Sequence, residues 1–321
     1  MTIIIFTVAI SMFLAINMGA SGFSISFAPS YGCGLLKRKN AILLYSIFLF
    51  IGALLVGHKV VDTLTLKLVR GFDNPISGLI ILFSASTTMF LANILKIPQS
   101  TSFVMVGAFT GSGIYYGKTN FLKLAEIFGV ALVFSLLAFG VTYALMSLFY
   151  PPKERNFRLY EKFAANNKLL RNFILYTDCY SAFAVGTNNV ANVVAPVIIS
   201  GLALPSLFLL AIFAPFFGLG GFLFGKGVIN TISKEIIPLG EISAGVVSLV
   251  TSSFVIFASL LGMPTPYVQF TTFAILAISA IKDGIGLTAR KLLVKKIIFT
   301  WILIPIITGV LSYLLHKVII R

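Results

Sequence analysis

The sequence predicts an all-α integral membrane protein made of two inverted repeats of about five transmembrane or re-entrant segments each. Three observations predict it. The first is composition: 58% of the residues are apolar and 10% are charged, with a mean hydropathy of +1.03, against a charged fraction of about 25% in soluble domains. The second is hydropathy pattern. Ten apolar stretches approach the roughly 17 to 25 residues that cross a bilayer core, at about 2–20, 41–57, 75–95, 100–117, 124–150, 172–200, 204–225, 239–262, 267–281 and 297–316.

The third is internal duplication. Gly19-Ala-Ser-Gly-Phe-Ser-Ile-Ser-Phe-Ala-Pro29 and Gly186-Thr-Asn-Asn-Val-Ala-Asn-Val-Val-Ala-Pro196 both open on Gly and close on Ala-Pro, 167 residues apart. Within one residue, the same offset aligns Gly57 through Leu64 with Gly225 through Ile232, and Ser77 through Pro98 with Ser243 through Pro264. Duplicated halves with polar, glycine-broken segments at matching positions point to a transporter with its site between the halves. The reading divides the chain into a first repeat at 1–150, a basic cytoplasmic linker at 151–171 and a second repeat at 172–321. An odd number of segments per repeat inverts the second half in the membrane.

Charge placement agrees with that inversion. With the N-terminus outside, 17 of the 24 Lys and Arg residues fall in cytoplasmic loops, as Lys and Arg bias requires. The net charge of +15 then reflects basic loops at an anionic inner leaflet, and no nucleic-acid partner is needed. Met1-Thr-Ile-Ile-Ile-Phe lacks a basic leader region and reads as a first span in a cell-membrane protein. Cys33 and Cys179 are too few for a disulfide framework or a thiolate metal site and read as small buried residues.

Irregular backbone survives in hydrocarbon only where protein or a wet cavity covers it. Residues 17–34, with four glycines, four serines and Pro29, therefore predict a helix break or re-entrant hairpin, as does the region at 100–117. In the second half Asn188, Asn189 and Asn192 lie within a span, and Asn188 and Asn192 share a helical face. A second matched pair is Ile97-Pro-Gln-Ser-Thr-Ser102 and Met263-Pro-Thr-Pro-Tyr-Val-Gln-Phe-Thr-Thr272. A proline opening a helix leaves its free N–H groups at the break, and hydroxyls beside them make an anion site without a fixed cation.

At these residues the chain resembles the inorganic phosphate transporter family, whose halves each carry G-A-N-D-V-A-N followed by P-V-S-T-T-H. Gly186 through Asn192 fits the first motif with Asn189 in place of Asp. Ser100, Thr101 and Ser102 fit the hydroxyls of the second, with Phe103 in place of His. Gly19-Ala-Ser-Gly22 is a degraded copy in which Ser21 stands for Asn and Gly22 for Asp. Pro266, Tyr267 and Val268 replace the hydroxyl run of the second half, although Gln269, Thr271 and Thr272 lie close by. These departures are similar to the sulfate permease branch of that family. The resemblance implies an ion-coupled carrier of a tetrahedral oxyanion, with a homodimer as one form its relatives take.

Phosphate carries a proton that a carboxylate can accept, whereas sulfate donates nothing. A site that lacks both signature carboxylates but keeps amide and hydroxyl donors suits sulfate ahead of phosphate, and a buried dianion demands a full set of donors. The candidate substrate groups are Gly19, Ala20, Ser21, Ser100, Thr101, Ser102, Gly186, Asn188, Asn189, Asn192, Gln269, Thr271 and Thr272. The resemblance associates the missing Asp residues with sodium, so their loss favours a proton as coupling ion. Asp178, inside the sixth apolar stretch on the face of residues 182, 185 and 189, is the candidate proton carrier, about 16 Å along the axis from Asn189. No cofactor is implied. Glu126 and Glu241 begin spans, where acids favour the helix dipole, and His58 and His316 sit at span ends. Gly19-Ala-Ser-Gly22 also matches the serine motif of intramembrane proteases, but that chemistry needs a histidine base at membrane depth, which neither His58 nor His316 supplies. An anion channel shares the same duplicated pattern.

Overall fold

The computed structural model describes residues 2–32, 35–94, 99–150, 161, 167–235, 240–290 and 292–320. The first half holds α1 (Thr2–Gly32), α2 (Arg38–Lys67, with π-helical turns at Ala53–Gly57 and Thr63–Lys67), α3 (Ile76–Ile94), α4 (Thr101–Tyr115) and α5 (Phe121–Phe149). The second holds α6 (Asn167–Ile199), α7 (Ser206–Glu235), α8 (Glu241–Leu260), α9 (Tyr267–Asp283), the short α10 (Ile285–Arg290) and α11 (Leu292–Ile319). No strand occurs among the described residues. Apart from the short α10 the halves match in helix order, with α1 and α6 at 31 and 33 residues, α4 and α9 at 15 and 17, and α5 and α11 at 29 and 28. The linker expected at 151–171 and Cys33 lie mainly outside the described residues.

The contacts between halves are reciprocal. A Cβ on Gly19 would lie 2.2 Å from the Phe217 carbonyl of α7, and one on Gly186 would lie 2.0 Å from the Leu49 carbonyl of α2. Gly220 meets Ile16 of α1 as Gly52 meets Phe183 of α6. Helix α4 packs on α11 through Gly107 and Gly111, each against a carbonyl of the other helix at Pro305 and Gly309, while α9 packs on α5 where Phe270 meets Phe134. The corresponding helices α1 and α6 run antiparallel in contact: Thr7 donates to Ser200 at 3.2 Å, Ser181 to Ser26 at 3.2 Å, and the Ser30 amide to Asp178 at 3.0 Å. Exchange of like contacts and antiparallel crossing of like helices are what a two-fold axis through the helix layer produces.

Among the described residues seven helices are long and apolar enough to cross a membrane, fewer than the ten apolar stretches, because α3, α4 and α9 are not among them. Ser77 near the start of α3 and Tyr116 just after α4 pair at 2.9 Å, so α3 and α4 form an antiparallel hairpin. In the second half α8 ends in a Schellman turn, with Gly262 at φ +74 and bonds from Gly262 N to Ser259 O and Met263 N to Ala258 O. The chain then returns as α9, and the Tyr267 hydroxyl meets Ser252 at 2.8 Å. Both stretches expected at 239–262 and 267–281 are helices: α8 is one of the seven, whereas α9, at 17 residues, is not, and the two are joined as a hairpin.

Over residues 17–32 the expected break is not there: α1 continues to Gly32 through Pro29, and 33–34 lie outside the described residues. Gly19 serves close packing, and two of the serines of α1 return their hydrogen bonds to the helix, Ser24 to Ala20 O and Ser21 to Met18 O. The same back-bonding by Ser84, Thr88, Ser112, Ser135 and Thr308 lets polar side chains sit inside the layer without unsatisfied donors. His58 lies within the continuous helix of α2, not at a span end.

Helix α6 is central. In its most apolar stretch 83% of the residues are buried, against 28% in α5 and in α11, whose outer faces carry exposed Leu132, Leu136, Ile302 and Ile306. Replacing Gly19 or Gly186 with Ala forces a methyl onto a neighbouring backbone and is expected to cost about 1–3 kcal/mol, read as earlier loss of the monodisperse peak when detergent-solubilised protein is heated. Ala at Gly129 or Gly140, where a Cβ meets nothing within 4 Å, is expected to be neutral or mildly stabilising.

Candidate functional site

Both hairpin tips arrive at Asn188, well inside α6. The first tip delivers Ser102, whose hydroxyl donates to Asn188 Oδ1 at 3.0 Å. The second delivers three groups: the Thr265 amide donates to Asn188 Oδ1 at 3.1 Å, and Asn188 Nδ2 donates to Met263 O at 3.0 Å and Ser259 Oγ at 2.9 Å. A primary amide has two acceptor sites and two donors, and Asn188 uses all four. One turn on, Asn192 Nδ2 donates to Ser102 Oγ at 3.1 Å, so the two amides share this hydroxyl as their spacing predicts. Asn192 Oδ1 is buried with no protein donor, as is Thr265 Oγ1. Thr187 joins through a 3.1 Å bond to Ser259.

Two helix N-termini converge here. Ser100 caps α4, accepting from the Phe103 amide at 3.4 Å, with Val104 N bonded to Ser100 O. The amides of Thr101 and Ser102 are left as the orphan donors of that first turn. Gln99 steadies the approach by donating to Met89 O at 3.0 Å. On the other side Pro266 occupies the N-cap position of α9, one residue before the helix, and Gln269 N and Phe270 N bond to Pro266 O. Pro98 lies outside the described residues. Positive ends of two helix dipoles therefore flank a cluster of amides and hydroxyls with no carboxylate among its members.

The remaining sequence candidates fall in other settings. Gly19 and Gly186 each press on a neighbouring helix backbone, and Ala20 is buried in α1. Ser21 donates to Met18 O, so its hydroxyl serves its own helix. Asn189 is 8% exposed beside Asn188. Thr271 and Thr272 bond back to Tyr267 O and Val268 O, and Gln269 is buried on the first turn of α9. Gly22, at the position where the resemblance expects an acid, faces Tyr45: a Cβ there would lie 2.5 Å from the Tyr45 hydroxyl, which itself bonds to Gly19 O at 3.2 Å.

Asp178 is fully buried on α6, with Oδ2 accepting from the amide of Ser30, the residue after Pro29. It forms no ion pair among the described residues; the two that do occur are Lys118 with Asp73 and Lys123 with Glu126. Its partner is thus a backbone group of the opposite half. Sequence reasoning passed over Ser259, Thr265 and Ser181. Their signal was present as hydroxyls flanking the Gly262-Met-Pro turn and one turn from Asp178, but hydroxyls are so common in membrane helices that the pattern does not single them out.

Comparison with known proteins agrees with this architecture. Residues 18–312 match the model of the phosphate transporter family. The chain is 33% identical over 313 residues to Sulfate permease CysP of Bacillus subtilis, covering 97% of this chain and 86% of that protein. A solved structure described as the sodium-dependent phosphate transporter superposes with a TM-score of 0.84 over 99% of both chains at 20% identity, which is a likeness of fold. A duplicated helical membrane protein with two hairpins meeting between its halves, matched by that family's model over nearly its whole length, belongs to the phosphate transporter family, whose members are permeases and not enzymes.

Proposed function

We propose that this protein is a secondary active importer of an inorganic oxyanion, sulfate ahead of phosphate, working by proton-coupled alternating access in the cell membrane with its N-terminus outside. The observation that carries the reading is the convergence of two hairpin tips and two helix N-termini on Asn188, Ser102 and Asn192. Every group there is an amide or hydroxyl, so the site offers donors to a dianion and no carboxylate to accept the proton of monohydrogen phosphate. The relation to a sulfate permease supports the same preference.

The way Asn188 is used supports alternating access. Its four bonds join a hairpin of each half to the central helix, so an anion that engages Asn188 replaces at least one protein partner. Binding and rearrangement of the hairpins are then linked by one exchange of hydrogen bonds, as a carrier requires and a static pore does not. Asp178 is the proposed proton carrier. It sits where α1 and α6 cross, bonded to Ser30 of the other half, so its charge bears on the contact that the two halves share. The likeness to a sodium-dependent phosphate transporter favours the second reading, sodium-driven phosphate uptake.

Reconstituted vesicles distinguish the two. With labelled sulfate and labelled phosphate under an imposed proton gradient, a sodium gradient or neither, the expected result is saturable, proton-driven accumulation of sulfate with weak competition by phosphate. Sodium-driven phosphate uptake would overturn both the substrate and the ion. Asp178→Asn keeps an acceptor for the Ser30 amide, so the protein is expected to fold and bind while losing at least about tenfold of proton-driven uptake; unchanged stimulation would remove Asp178 from the mechanism. Asn188→Ala strands buried partners on both hairpins, at about 1–3 kcal/mol for each. It is expected to abolish uptake and lower thermal stability together, measured on the same preparation.

A further inference from the structure

We infer that Tyr267 is a positioning residue for transport: its hydroxyl holds the tip of the second hairpin against the central helix, and this bond must part before that tip can open. The inference rests on the alternating-access reading above. Tyr267 is the first residue of α9, two positions after Thr265, whose amide bonds to Asn188. The phenol oxygen lies 2.5 Å from Ser181 Oγ on α6 and 2.8 Å from Ser252 Oγ on α8.

The hairpin tip is therefore pinned to α6 twice, at Asn188 through main-chain groups and at Ser181 through the tyrosine. The two points are seven residues apart, about 10 Å along the helix. Ser181 continues the chain by donating to Ser26 of α1 at 3.2 Å. A consistent ordering follows, since each hydroxyl has one hydrogen. Ser181 gives its hydrogen to Ser26, Tyr267 gives its hydrogen to Ser181, and Ser252 gives its own to Tyr267. Four helices, one of them from the other half, are joined by this single file of hydroxyls. Tyr267 is 5% exposed and Ser181, Ser252 and Ser26 are fully buried, so no water substitutes for a lost partner while the hairpin stays closed. Opening at Asn188 alone leaves the tip tethered two turns away.

Accessibility of the tip tests this without reference to substrate or coupling ion. Thr265 is the reporter position: it is buried, and its hydroxyl has no partner, so Thr265→Cys loses no hydrogen bond. In a background of Cys33→Ser and Cys179→Ala, the rate of labelling by a membrane-impermeant maleimide is measured on vesicles. Tyr267→Phe, which keeps the ring, is expected to raise that rate roughly fivefold, the factor for one net hydrogen bond. Ser181→Ala is expected to do the same, and the pair together to exceed neither alone, because the bond that ties the tip to α6 is the one both variants remove, the bonds to Ser252 and Ser26 lying within the hairpin and between α6 and α1.

Thr142→Cys, a buried position on α5 whose hydroxyl also lacks a partner, serves as control. Its labelling is expected not to change, whereas general loosening of the fold raises both sites. In uptake assays Tyr267→Phe is expected to change turnover more than KM. Labelling of Thr265→Cys unchanged by Tyr267→Phe and by Ser181→Ala, or multiplied when the two are combined, would overturn the inference. A rise confined to Thr265→Cys in a protein that moves neither sulfate nor phosphate would uphold the tether and count against the transport reading alone.

Discussion

The structure depends on one constraint: the side-chain amide of Asn188, buried in the middle of a membrane helix, must satisfy two donors and two acceptors without water. An unpaired polar group in such surroundings costs several kcal/mol. Helix α6 cannot meet that demand from its own backbone, whose groups are engaged in the helix ladder. The partners have to come from chain that is not fully helical, and the hairpin turns are where such chain is available. Ser102 comes from the first and Thr265 and Met263 from the second, with Ser259 at the end of α8. The same demand explains why both hairpins stop at this depth.

Bringing two hairpins to one residue needs helices that approach very closely, and glycine supplies this. Gly19, Gly52, Gly186 and Gly220 place helix backbones where any Cβ would collide with a carbonyl. Hydrophobic burial gives little drive between helices in lipid, so van der Waals contact at this range and interhelical hydrogen bonds take its place. Because these glycines come in reciprocal pairs between the halves, each half builds the other's close contacts. Helices α1 and α6 then cross at the centre, and the bonds from Ser26 to Ser181 and from Ser30 to Asp178 form rungs between them. Asn188 and Asp178 lie along the same helix.

The two halves have diverged within this shared plan. Asn188 has Ser21 as its counterpart in α1, and Ser21 serves only its own helix. The space beside Gly22 is taken by the Tyr45 hydroxyl. The second hairpin carries Pro266 and Tyr267 where the first has Ser100 and Thr101, and Tyr267 sends its hydroxyl to α6 and α8. The polar centre is consequently built mostly from the second half, with Ser102 as the main contribution of the first.

Sequence by itself determined the membrane setting and the likeness of the two halves, and it pointed to the transporter family. The first two follow from composition and from a fixed offset between like segments, and the third from the resemblance carried by Gly186 through Asn192 and by Ser100 through Ser102. It also placed Asn188 and Asn192 on one helical face, since an i, i+4 spacing fixes that in any helix. It misread residues 17–34 as a break, because glycine and serine suit close packing of straight helices as well as they suit turns. Its ten segments are all helices, but hydropathy does not tell a hairpin arm from a full span. Only the tertiary structure decided that Gly19 and Gly186 are packing surfaces, that Asp178 pairs with an amide of the opposite half, and that Ser259, Thr265 and Tyr267 join the centre. The physical reason is range. Helical periodicity reports which way a side chain points along its own helix, whereas the partner it meets there, some 70 to 150 residues away in the chain, is set by how the helices cross.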